Sequence, residues 1–133
     1  MTTPFWCLLI AIFLPYILAG ITVYFKNQQF EEVDVKNPRQ QSLELKGQGA
    51  RANAAQQNAW EALTVFAAAV IVAHLAGADA GYSAIAAIVF LVARILHPVF
   101  YITDNQPLRT ASFVVGFGCC IWLFVLAAMA ASA

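Results

Sequence analysis

The sequence predicts an all-α fold of four membrane-spanning helices, and three observations carry that expectation. Of its 133 residues, 62% are hydrophobic and only 11% charged, whereas a soluble domain carries about 25% charged residues. The apolar residues gather into four runs, each close to the ~20 residues that a helix needs to cross a bilayer. More than half of the charged residues lie in one stretch between the first and second runs. Net charge is zero, so no basic footprint suggests nucleic acid. The length fits one domain over 1–133. Cys7, Cys119 and Cys120 lie in apolar runs, with neither metal-ligand spacing nor a disulfide framework.

The first helix is expected over about 5–25. It lacks the basic start of a signal peptide and is read as a retained span. Pro15 predicts a kink there. Residues 26–49 hold Lys26, Glu31, Glu32, Asp34, Lys36, Arg39, Glu44 and Lys46. Their alternating signs describe a solvated loop with a short ordered piece. The second helix, about 50–76, begins polar and ends alanine-rich, as close helix packing in a membrane favours. The glycine-bounded turn Gly77–Gly81 makes the second and third helices antiparallel neighbours. His74 beside it reads as an interfacial residue. The third helix is expected over about 82–100, with Pro98 bending its last turn. A short turn through Asp104, Asn105 and Pro107 leads to the fourth, about 109–131. Five of the seven Lys and Arg residues lie in or beside the first loop, Arg94 and Arg109 lie at or near the third, and the second has none. The positive-inside rule therefore places loops one and three in the cytoplasm.

Polar residues inside these runs are the functional signal, because a charge at the bilayer centre costs about 2.5–3.5 kcal/mol on insertion scales. Arg51, Asn58 and Glu61 fall within one sector of the second helix. Arg94, His97 and Tyr101 share one face of the third. With the helices antiparallel, Glu61 and Arg94 reach similar depth, and an ion pair between them is expected. Together with Arg109 these groups predict a positively biased pocket opening to the cytoplasm, suited to a small anionic ligand.

The run Arg51-Ala-Asn-Ala-Ala-Gln-Gln-Asn58-Ala-Trp-Glu61 resembles the second-helix signature of the MAPEG family, the membrane-associated proteins of eicosanoid and glutathione metabolism. Arg94-Ile-Leu-His97-Pro-Val-Phe-Tyr101, followed by Arg109-Thr110, resembles that family's third-helix pattern and the Arg-Ser/Thr after it. The resemblance covers nearly the whole chain. It implies a homotrimer of four-helix protomers, with glutathione as co-substrate bound between subunits near the cytoplasmic side. Arg51, Asn58, Glu61, Arg94, His97, Tyr101 and Thr110 would hold glutathione, and Arg109 would stabilise its thiolate as the catalytic residue. The implied activity is a glutathione-dependent transferase or peroxidase acting on small lipophilic electrophiles from the bilayer, with no metal. A bacterial member would lie in the inner membrane. The sequence departs from the pattern at Ala54, where many members carry a second arginine. The alternative is a non-catalytic protein of the same fold that binds another small anion or serves a structural role. A small multidrug exporter fits worse, since the first helix lacks the membrane carboxylate such exporters use.

Overall fold

The computed structural model describes residues 1–132. Five helices follow in order: α1 (Thr3–Gln29), α2 (Pro38–Leu43), α3 (Gly47–Leu75), α4 (Ala80–Ile102) and α5 (Gln106–Ala131). No strand occurs among the described residues. The four long helices are each long and apolar enough to cross a membrane. The shortest, α4, has 23 residues; at 1.5 Å per residue it is roughly 35 Å long, above the ~30 Å hydrocarbon thickness.

Local chemistry sets the helix ends. α3 closes in a Schellman motif: Ala78 N–H donates to Ala73 O and Gly77 N–H to His74 O, with Gly77 at φ 72°. α4 closes the same way, Asn105 N–H on Phe100 O and Asp104 N–H on Tyr101 O. Here Asp104 takes the left-handed position, at φ 62°. The Asp79 side chain caps α4 by accepting from Tyr82 N–H at 2.9 Å, and Asn105 caps α5 by accepting from Leu108 N–H at 3.2 Å. α5 starts at Gln106, ahead of the 109 suggested by the sequence. Pro107 sits in its first turn, where the missing N–H is no loss. α1 and α4 run unbroken through Pro15 and Pro98.

The polar segment between α1 and α3 is tied down. Buried Lys26 donates through Nζ to Pro38 O. Gln29 donates to Glu44 O at 2.8 Å and accepts from Lys46 N–H at 2.9 Å. The N–H groups of Asn37 and Lys36 both reach Asp34 Oδ1. These bonds, that of Asn37 first, hold the Asp34 carboxyl below the usual carboxylate range.

In the bundle, α3 and α5 each pack on α4, and α1 packs on α3 and α4, which puts α1 and α5 at opposite corners. The Phe66 and Phe90 rings stack between α3 and α4 with centroids 3.8 Å apart. Around them lie small residues, among them Ala11, Ala69, Ala73, Ala86, Ala87 and Cys120, which let the backbones approach. The outer surface carries Ile10, Phe13, Ile88, Val92, Val114 and Phe117, all exposed. So much outward apolar surface suits lipid or other protein, not water.

Candidate functional site

Arg94 on α4 is only 4% exposed, so its charge and donors need partners within the protein. Its terminal nitrogen donates to Asn58 Oδ1 at 2.6 Å and reaches Asn58 O at 3.4 Å. Room for the guanidinium stem comes from Gly116 on α5, where an added Cβ would stand 3.2 Å from Arg94 Cδ. The expected Glu61–Arg94 ion pair is not made. The only ion pair within 4.0 Å among the described residues joins Arg51 to Asp104, at 3.8 Å. The reason is angular. Asn58 points into the bundle, whereas Glu61, three residues further along α3, is exposed on its flank. Both still line one cleft of about 190 Å³ with Arg94, Phe113, Phe117 and Cys120.

His97, 2% exposed, faces the start of α5. Its Nδ1 lies 3.2 Å from both Arg109 O and Ser112 Oγ, and Ser112 Oγ donates to Arg109 O at 2.9 Å. Arg109 itself is half-buried. Its guanidinium carbon stands 4.7 Å from the Tyr101 ring centroid, a cation–π distance. The Tyr101 ring in turn meets His97 edge-on at 5.7 Å. Thr110 beside Arg109 is exposed. Arg51 donates through Nε to Ile102 O at 3.1 Å, and so clips the start of α3 to the end of α4. The structure thus joins Arg94 with Asn58, and His97 with Tyr101 and Arg109. Arg51 stands at the same end on its own contacts, and Glu61 and Thr110 stand outward.

A second recess lies on the other side of α3, against α1 and α2. It measures about 640 Å³ and is lined by Lys26, Arg39, Asn53, Gln56, Gln57 and Trp60, among others. Sequence reasoning set aside Arg39 and the glutamines as loop and helix-start polarity. The available signal was the polar first half of the second helix. Ser112 also escaped notice, because a lone serine in an apolar helix reads as a packing residue.

The searches of curated proteins and of solved structures gave no match. The sequence profile of the MAPEG family matches residues 3–129, which spans all five helices. The chain therefore belongs to the MAPEG family, membrane proteins of the glutathione and eicosanoid metabolism type.

Proposed function

We propose that this protein is a membrane-embedded, glutathione-dependent transferase or peroxidase that acts on lipophilic electrophiles as a homotrimer. The observation that carries the reading is the state of Arg109. Its guanidinium rests on Tyr101, and among the described residues it makes no ion pair and no side-chain hydrogen bond. Its donors are free for an anion. A guanidinium beside a thiol favours the thiolate over a free thiol of pKa about 8.5. The thiolate sulfur then attacks the electrophilic carbon. The S–C bond forms as the leaving group departs or the strained ring opens, and the thiol proton passes to solvent.

Two features support assembly from several copies. Glu61 lies midway along α3, at the start of its apolar half, and is exposed; a carboxylate facing lipid there is costly, up to about 2.5–3.5 kcal/mol at the bilayer centre. A neighbouring subunit would cover it. The recess at Lys26, Arg39 and Gln57 is also larger and more polar than the cleft at Arg94, and neither Arg109 nor Thr110 of the same chain lines it. Arg109 and Thr110 of an adjacent copy would complete it. Arg39, with Lys26 through the donors that its bond to Pro38 O leaves over, would then supply the carboxylate contacts that Ala54 does not.

A second reading, a non-catalytic binding protein, draws on one observation. Arg51 and Arg94 are already engaged inside the protomer, which leaves fewer cations for a ligand. Calorimetric titration of the detergent-purified protein with millimolar glutathione separates the two. Binding heat is expected, and its absence sinks the enzyme reading. Arg109→Ala should lower kcat/KM for conjugation about 10²–10³-fold, the range for removing one donor to a developing anion. Its oligomeric state should not change.

A further inference from the structure

We propose that Ser112 and His97 form a positioning pair that fixes Arg109 against Tyr101. For catalysis the inference rests on the function proposed above, but the lock itself is a property of the free protein.

Arg109 lies in the first turn of α5, and helix ends fray. A guanidinium that must meet a thiolate cannot be on a fraying turn, because a misplacement of about 1 Å can cost 10²-fold in rate. The backbone of Arg109 is held on both sides. Its N–H donates to Asn105 O at 3.0 Å. Its carbonyl accepts from Ser112 Oγ at 2.9 Å and lies 3.2 Å from His97 Nδ1. With the proton on Nδ1, the His97 ring donates toward Arg109 O and Ser112 Oγ together; with the proton on Nε2, Nδ1 and the carbonyl would set two lone pairs against each other. The Nδ1–H form therefore fits, and it leaves Nε2 as a buried acceptor without a partner among the described residues. Ser112 and His97 are 8% and 2% exposed, so water does not compete for these bonds. The edge-on ring of His97 also braces Tyr101, the platform under the guanidinium. One imidazole thus sets both the backbone and the side-chain support of Arg109. The sequence spreads these groups over α4 and α5, and only their packing unites them.

The test compares the wild type with Ser112→Ala and Ser112→Thr. In the ligand-free protein, hydrogen exchange is followed across residues 106–113. Ser112→Ala should speed exchange there about tenfold, a local opening worth one lost hydrogen bond, while Ser112→Thr, which keeps the hydroxyl, should restore protection. Unchanged exchange in Ser112→Ala overturns the proposal, whatever glutathione does. With glutathione, the ultraviolet thiolate band and kcat should both fall about tenfold in Ser112→Ala, because less of the bound thiol is ionised, while KM for glutathione stays within about twofold, because the rest of the ligand keeps its contacts. A raised KM at unchanged kcat would make Ser112 a ligand contact and overturn the positioning role. If the wild type binds no glutathione, the function proposed above fails, and the exchange result still decides the lock.

Discussion

Arg94 carries a buried cation whose partner is an amide rather than a carboxylate. A guanidinium held by Asn58 Oδ1 at 2.6 Å keeps its charge without the second desolvated ion that a buried pair requires. Removing either partner strands a polar group in a dry interior, at about 1–3 kcal/mol. Arg94→Ala and Asn58→Ala should each lower the Tm in detergent. Their double-mutant cycle should show coupling of about 0.5–3 kcal/mol, the range for residues in contact. The same cycle between Arg94 and Glu61 should show the smaller term. Larger coupling to Glu61 than to Asn58 would overturn the pairing described above. The sequence placed Glu61 and Arg94 at one depth, and they do line one cleft. What it could not give is the direction of each side chain around α3, on which the choice between Asn58 and Glu61 turns.

The helix termini are where backbone chemistry is most exposed to test. α3 and α4 end in the same hydrogen-bond pattern, one with Gly77 and the other with Asp104 in the left-handed conformation. A residue with a Cβ pays roughly 1–2 kcal/mol there. Asp104 also meets Arg51 at 3.8 Å, an exposed contact of small worth. Both Asp104→Gly and Asp104→Ala lose that contact, so their difference isolates the backbone. Asp104→Gly should be the more stable by about 1 kcal/mol in thermal melts; equal stability would contradict the left-handed assignment. The glycine-bounded turn after α3 was legible from composition alone. The matching turn after α4 was not, because nothing marks an aspartate as left-handed until its hydrogen bonds are seen.

At the scale of the whole molecule, the bundle leaves two faces unfinished: the flank with exposed Glu61 and the recess at Lys26, Arg39 and Gln57. Under the proposed assembly, native mass spectrometry from mild detergent should give three copies, and Glu61→Lys, which puts a bulky, uncompensated ammonium at the proposed subunit contact, should shift the population toward monomer. A monomeric wild type would refute the trimer and with it the shared site.

The sequence by itself determined the class of molecule and the family. Runs of about 20 apolar residues admit few structures besides helices in a bilayer, where every backbone polar group must bond within its own segment. The spacing of Arg51, Asn58, Glu61, Arg94, His97 and Tyr101 carried the resemblance, and the family profile matches residues 3–129. Only the tertiary structure decided who pairs with whom. Arg94 turns to Asn58, Arg51 to Ile102 O, and His97 with Ser112 to the Arg109 carbonyl. Those choices depend on helix rotation and on space such as that left by Gly116. A few tens of degrees about a helix axis exchange one hydrogen-bond partner for another, and a one-dimensional spacing does not record that angle.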